Sequence, residues 1–595
     1  MEEEKLEVHP GGSFLVQEAG SVRIPTPEGF SEEQRMYHRT ATDFAKQQVE
    51  PLVERIEKKE PGLLRELLRK AGELGLLMVD IPEKHGGLGG DLTTSCVVAE
   101  ATARNGSWSV TFGAHVGIGT LPIVYFGTDE QKARYLPQLA TGEKVAAYAL
   151  TEPGSGSDAL GARTKAVLSK DQKHYVLTGS KQFITNAAFA DVFIVFAKVD
   201  GEKFTGFIVE RGTPGFTVNA EEHKMGIRGS STCSLTFDDA PVPVENLLGE
   251  IGKGHKIAFN ILNIGRLKLG VGVLGGMRAT IERTLAYARD RKQFQTPIFE
   301  FPLIREKFAR MSALLYANES MAYRTTGLID SALAHLDRAD PQYPNHKVQV
   351  VEEYALEASV LKVFGSEALG TVVDECVQVF GGYGFIEDYP AERAYRDARI
   401  NRIFEGTNEI NRMLVTGMLL KRSMKGQLPF LESAERIVAE LDKGIVPQQK
   451  GSDALAHEAH TAELCKALAA VACKTAVEAF GFELEKHQEV LAAVSDIVME
   501  AYAIESSVLR TRQAASAGQL DPVRVAMTQL YAQEGHLRAF ERARRVVCAA
   551  LQGQAAKDAV TKLQKLYVFE PRNLAELRET IVNAMASARG YPMHV

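Results

Sequence analysis

"KHYVLTGSKQFIT", residues 173–185, decides the fold, because it carries the period of two and the β-branched and aromatic residues of a strand in a chain that is otherwise helical. The same period recurs from about 145 to 245 in "KVAAYALTE", "DVFIVFAKV", "GFIVE" and "TCSLTFDDAPVP", with Gly, Asp and Pro supplying turns. These short strands predict a β-domain, either a barrel or a sandwich. Upstream, apolar residues recur every three or four positions, as in "SEEQRMYHRTATDFAKQQVEPLVERIEK", where Ser31 and Gln34 have the form of a capping box. Downstream, long helical segments return from 251 to about 424, broken by the loop "DRADPQYPNHK" at 337–347.

The expected organisation is therefore mainly α with a central β-domain. It comprises an N-terminal extension at 1–30, an α-helical domain at 31–144, the β-domain at 145–250, a helical bundle at 251–424 and a further helical domain at 425–595. "ESMAYRTTG" at 319–327 is echoed by "ESSVLRTRQ" at 505–513, which a degenerate duplication of the bundle would explain.

The 595 residues are too many for one core. With 45% hydrophobic residues, 24% charged residues and a net charge of −7, the chain has the composition of a soluble globular protein and no basic excess for nucleic acid. Its six cysteines lack CxxC spacing, which argues against a zinc site or a disulfide framework and for buried thiols in a reducing compartment. "MEEEKLEVHPGG" has no apolar h-region and is not Arg-rich, so the expected location is the cytoplasm. No uninterrupted apolar run reaches the roughly 20 residues of a membrane span. Peripheral contact is left to "HLRAFERARRVV", where Arg538, Arg542 and Arg545 fall on one helical face, either a solvated basic face or one for anionic lipid.

Five stretches carry candidate chemistry. In "YALTEPGSGSDALGARTKA", 148–166, a strand runs into small residues that let backbone amides approach a flat or phosphorylated ligand, with hydroxyls at Thr151 and Ser157; a plain Gly–Ser connector reads the same. In "SKQFITNA", Phe183 and Thr185 share one face of a strand, as an aromatic wall and hydroxyl for a flavin ring or as a core Phe beside a surface Thr. "RDRKQFQTPI" and "CVQVFGGYGFIEDYP" bring Arg291, Gln293, Gln378 and a glycine cluster without the βαβ pattern of a dinucleotide fold. In "NRIFEGTNEI", 401–410, Glu405 between Phe404 and Gly406 could cap the next helix, pair with an arginine, or act as a base tuned by desolvation.

In their order, "YALTEPGSGSD", "ITN", "RKQFQ", "QVFGGYGFIEDYPAER" and "RIFEGTNEI" resemble the acyl-CoA dehydrogenase family over roughly residues 30–424. "ILNIGRLKLG" and the long C-terminal extension resemble its very-long-chain branch, whose members are usually homodimers. The resemblance implies an N-terminal helical domain, a β-domain and a four-helix bundle with FAD between the last two. By position, Thr151, Gly156, Ser157, Phe183 and Thr185 would line the flavin, with Thr407 and Glu409 near it. Arg291, Gln293, Phe294, Gln378 and Gly382 match positions that contact the FAD of the neighbouring subunit.

Arg266 matches an active-site arginine, and Ser157, Arg266, Glu405 and Gly406 would contact the acyl-CoA. Two departures stand out: the usual Trp of "WIT" is Phe183, and the position that holds the base in some branches is Gly265, which leaves Glu405 as the candidate. The implied reaction is α,β-dehydrogenation of a fatty acyl-CoA to the trans-2-enoyl-CoA, a step of fatty acid β-oxidation. Glu405 would remove the α-proton, the β-hydride would pass to flavin N5, and an electron-transferring flavoprotein would be the acceptor. Gly113, Gly117 and Gly119 would leave room for a long acyl chain, or let helices pack closely. Rival readings are an acyl-CoA oxidase using O₂ and an assembly or scaffold role. No metal is expected.

Overall fold

A computed structural model describes residues 8–19, 22–337, 340, 342–515 and 519–593. The acidic start "MEEEKLE" and part of the "DRADPQYPNHK" loop lie outside the described residues. Helices used below are labelled in chain order: α1 Glu32–Phe44, α2 Leu92–Thr102, α3 Gly254–Asp290, α4 Pro302–Ala334, α5 Ala355–Phe380, α6 Asn408–Met424, α7 Ala456–Phe480, α8 Gln488–Gln513 and α9 Pro522–Ala550.

Helix α1 starts where the sequence predicts, with Ser31 accepting from the Gln34 backbone and the Gln34 side chain accepting from the Ser31 backbone. The expected 337–347 loop is shorter than predicted. A helix begins at Tyr343, with Pro344 in its first turn, where the missing N–H is one that a helix leaves unpaired anyway.

The β-region forms one hydrogen-bonded sheet of eight strands, β1 Ala146–Ala149, β2 Lys165–Leu168, β3 His174–Thr185, β4 Val192–Val199, β5 Lys203–Glu210, β6 Phe216–Glu221, β7 Thr232–Pro243 and β8 Leu247–Leu248. Their order is β6-β7-β3-β2-β4-β5-β8, and β1 lies parallel to one end of β4. That resolves the choice between barrel and sandwich into a single sheet. Strand β4 is buried on both faces: Phe193, Val195 and Ala197 join one core, while Val192, Ile194 and Phe196 join another. The first core packs the N-terminal helices on the sheet, and the second reaches Ile257, Ile261 and Ile264 of α3.

A third core runs continuously from α3, α4 and α5 into α7, α8 and α9, so the two helical bundles share one interior. The echoed segments meet there. Arg510 pairs with Glu319 at 2.6 Å and Arg324 with Glu505 at 3.0 Å. Tyr316 bonds Thr511 and Tyr502 bonds Thr325, each at 2.8 Å. Each of these contacts is the other's image under exchange of the two helices, as an isologous contact between two copies requires.

The N-terminal extension crosses this seam. Phe14 packs on Tyr502 with ring centroids 4.5 Å apart, the Lys466 ammonium donates to Gln17 O at 2.7 Å, and Arg510 pairs with Glu28 at 2.8 Å.

Three expectations are corrected. Arg538, Arg542 and Arg545 are paired with Glu500, Asp496 and Glu541, so the face expected to be basic is largely neutralised. Gly106–Phe126 and α3 do reach the length and hydropathy of a membrane span, but 67% and 72% of their most apolar windows are buried inside the protein. Cys548 is exposed, whereas the other five cysteines are buried.

Candidate active site

The turn at 405–407 is fixed from three sides. Thr407 caps α6, its hydroxyl accepting from the Ile410 N–H. Asn411 Nδ2 donates to Gly406 O at 2.8 Å and Thr407 O at 3.0 Å. Arg266 Nε donates to Glu405 O at 3.2 Å and its Nη1 to Asn263 Oδ1 at 2.9 Å. Helix capping therefore belongs to Thr407, and the arginine holds the backbone of residue 405 through its carbonyl oxygen.

The turn forces Glu405 to φ 58°, a left-handed conformation that costs a side-chain-bearing residue about 1–3 kcal/mol. Its carboxyl end is buried, and Oε2 has no hydrogen-bond partner. Burial pushes this carboxyl up to about 7, against the opposing charges of Arg266 and Lys362. Gly265 leaves room for this placement. A Cβ there would lie 2.7 Å from Glu405 Oε2, so the residue that cannot act as a base also makes room for one that can.

Glu405 and Thr185 both line a cavity of about 520 Å³. It follows one face of α3 from Gly265 past Leu269, Gly272 and Gly276 to Arg283. The 18 helical steps between Gly265 and Arg283 correspond to about 27 Å. The opposite wall includes Gly113 and Gly117, the latter in a π-helical stretch at Ala114–Gly119. A Cβ at Gly113, Gly117 or Gly272 would meet nothing within 4 Å, so these glycines leave open space. Gly119 does not: its Cβ would strike Ala114 O at 2.7 Å and Ala146 Cβ at 2.8 Å, which makes it a packing residue and corrects the expectation for that position.

Phe183 sits on β3 two residues before Thr185, at φ 60° and 59% exposed, an aromatic face that the protein itself leaves uncovered. Thr151 follows β1, half-buried, and leads into the exposed Gly156 and Ser157. That loop is anchored by Glu152, which accepts from the Arg163 and Thr164 backbones and from the buried ammonium of Lys181 at 2.7 Å. Burial lowers the Lys181 ammonium to about 8 despite Glu152. Glu409 is exposed in the first turn of α6.

The remaining predicted residues lie elsewhere. Arg291 follows the C-terminus of α3, exposed, with its guanidinium 5.4 Å from the Tyr383 ring. Gln293 and Phe294 are exposed in the hairpin that follows, Phe294 at 91%. Gln378 and Gly382 are exposed beside the α5 terminus, where Phe380 stacks on Tyr287 of α3 at 4.0 Å. Twenty-five residues of unbroken helix separate Gly265 from Asp290, roughly 37 Å. The structure thus brings Glu405, Arg266, Gly406, Thr407 and Thr185 to one site and Arg291, Gln378 and Gly382 to a second, distant surface.

Sequence reasoning missed Asn411, Glu152, Lys181 and Lys362. It also missed the α3 glycines, although "GVGVLGG" at 270–276 carried their signal. Among the described residues no group of three His, Cys, Asp or Glu side chains could hold a metal ion.

Family models of acyl-CoA dehydrogenase match the N-terminal domain at 31–143, the middle domain at 147–240 and C-terminal domains at 252–420 and 464–565. A probable acyl-CoA dehydrogenase of Bacillus subtilis is 48% identical over 593 residues, 99% of this chain and 100% of the relative. Human mitochondrial very long-chain specific acyl-CoA dehydrogenase is 40% identical over 422 residues, 68% of this chain and 61% of that protein.

Among solved structures, an acyl-CoA dehydrogenase complexed with FAD from Bacillus anthracis superposes with a TM-score of 0.96 at 48% identity, covering 98% of this chain and 100% of that one. A chain in a structure of the electron transferring flavoprotein of Acidaminococcus fermentans matches with a TM-score of 0.60 at 36% identity, over 66% of this chain and 99% of that one. With a 48%-identical relative along its whole length and four matching domain models, the chain belongs to the acyl-CoA dehydrogenase family.

Proposed function

We propose that the chain catalyses α,β-dehydrogenation of a long-chain fatty acyl-CoA, with Glu405 as the base that takes the α-proton. The observation that carries this reading is a buried carboxyl with an unpartnered oxygen on the wall of a long cavity. Raised to about 7, Glu405 is a better proton acceptor than an ordinary carboxylate. Its strained turn is held by Arg266 and Asn411, and the residue 405 N–H would donate to the thioester oxygen.

The uncovered face of Phe183, the Thr185 hydroxyl on the cavity wall and the open loop at Gly156 and Ser157 fit a flat cofactor, and the Bacillus anthracis relative is a complex with FAD. Thr151, Gly156, Ser157, Phe183, Thr185, Thr407 and Glu409 are the residues that would hold it. FAD, when bound, supplies the acceptor for the β-hydrogen. Ser157, Arg266 and Gly406 would position the thioester end.

Arg291, Gln293, Phe294, Gln378 and Gly382 lie too far from Glu405 to serve the same cofactor within one chain. Their exposure supports a homodimer in which they reach the partner's cofactor. The match to a chain in an electron transferring flavoprotein structure supports such a flavoprotein as the acceptor. The glycine-lined length of the cavity supports a long acyl chain.

An acyl-CoA series from short to very long chains, run under anaerobic flavin bleaching with wild type and Glu405→Gln, tests the reading. The expected result is fastest bleaching with long chains and collapse in the variant with FAD retained. Wild-type rates in Glu405→Gln would overturn the assignment of the base.

A further inference from the structure

Among the described residues three lysines have nearly or fully buried side chains, and two of them face carboxylates. Lys181 pairs with Glu152, and Lys466 pairs with Glu463 and Glu505. Lys362, on α5, is the exception. The acceptor recorded for its ammonium is the neutral Asn408 Oδ1 at 2.7 Å, and Asn408 is the first residue of α6, directly after the Glu405 turn and its Thr407 cap. An ammonium has three donors and is costly to bury without a counter-charge. Asn408 is itself fixed, donating to Ser366 Oγ and Glu367 Oε1, each at 3.0 Å.

Besides Arg266, the charged groups around this corner are paired or exposed. Arg266 on α3 bonds two neutral oxygens, the Glu405 carbonyl and Asn263 Oδ1, and its charge is the foremost one opposing the rise of the Glu405 carboxyl. Glu367 on α5 and Arg412 on α6 pair with each other, and Arg412 also with Asp496 of α8. Glu409 on α6 points to solvent. Tyr148 on β1 is buried with its hydroxyl unpartnered. Burial lowers the Lys362 ammonium to about 7, and Glu405 is the foremost charge opposing that fall. Reciprocally, Lys362 is one of the two charges holding the Glu405 carboxyl down.

We propose that Lys362 is a positioning residue for the reaction: its ammonium, held by Asn408 at the start of α6, is a second counter-charge that works with Arg266 to keep Glu405 ready to accept the substrate α-proton. The proton passes from the α-carbon to Glu405, and the ammonium transfers nothing. This rests on Glu405 being the base.

The test uses FAD-loaded Lys362→Gln and Lys362→Arg and reads the pH dependence of anaerobic flavin bleaching by a long-chain acyl-CoA. Loss of a positive neighbour raises a carboxyl, so the acidic limb of Lys362→Gln should move up by about one pH unit or more, with the alkaline plateau retained. Lys362→Arg should keep the wild-type midpoint. An unmoved limb in Lys362→Gln, or an equal loss of rate at every pH, would overturn the proposal. Should Lys362→Gln fail to take up FAD, Lys362→Arg decides: a shifted midpoint, or failure to load FAD, overturns the proposal as well. Glu405→Gln separates the two claims. If it stays active the base is elsewhere, whereas if it is inactive and the Lys362→Gln limb does not move, only the role of Lys362 fails.

Discussion

Two helical bundles carry the same short pattern, ESMAYRT at 319–325 on α4 and ESSVLRT at 505–511 on α8, and the first borders a cavity of about 520 Å³. Along the shared seam the two are nearly interchangeable, with exchanged Arg–Glu pairs, exchanged Tyr–Thr bonds, and arginines lying 4.5 and 4.7 Å from the opposing tyrosine rings. Away from it they diverge. The first bundle keeps a glycine face on α3 beside Glu405, whereas α7 of the second buries Ala462, Ala469, Ala472 and Ala476 and leaves no such space. The second bundle also has a buried carboxyl with an unpartnered oxygen, Glu458, which burial pushes up to about 7 against Arg572. It faces a cleft of about 20 Å³, room for a single water. A displaced pKa therefore does not make a site; the volume beside it does.

Exchanging the two carboxyls for amides is the sharpest way to break the comparison. Glu405→Gln is expected to slow flavin bleaching by about 10²- to 10⁴-fold with FAD retained, while Glu458→Gln leaves the rate unchanged. Any comparable loss in Glu458→Gln would mean that the second bundle takes part in the chemistry.

The seam is next. Arg324→Met and Arg510→Met each remove one of two cations on a buried glutamate, Lys466 remaining on Glu505 and Arg278 on Glu319, and should cost less in chemical denaturation than the about 3–5 kcal/mol of a fully unpaired buried charge. Unequal losses are informative, because Arg510 also binds Glu28 of the N-terminal extension and Arg324 does not.

Plugging the cavity tests the glycine face. Gly272→Leu should lower kcat/KM for a long-chain acyl-CoA about 10- to 200-fold and spare a short one. Equal losses for both would show that the acyl chain takes another path.

The smallest effect concerns Glu28. Burial raises its carboxyl, but Arg510 and Arg524 overcome this and bring it down to about 2. A folded-state value below the unfolded one gives stability that is present above about 4.5 and lost as pH falls toward 2, on the order of 2 kcal/mol. Glu28→Gln should flatten that part of the wild-type dependence of the urea midpoint on pH; an identical slope in both proteins would remove Glu28 from the seam's energetics.

Local signals settled much of this protein from the sequence alone. Period two between stretches of helical period gave the order of helices, sheet and helices, and Ser31 with Gln34 gave the start of α1. Each depends on residues within a few positions of one another. What only the tertiary structure decided depends on residues far apart in the chain. Glu28 meets Arg510 across 482 positions, Lys181 anchors the loop through Glu152, and Asp496 and Glu500 of α8 neutralise arginines that look like a free basic face on α9. Glu405 itself shows the division: sequence supplies a carboxyl with an ordinary acidity, and only the closing of α3, α5 and β1 around it removes water and raises its proton affinity, because desolvation belongs to the surroundings and not to the residue.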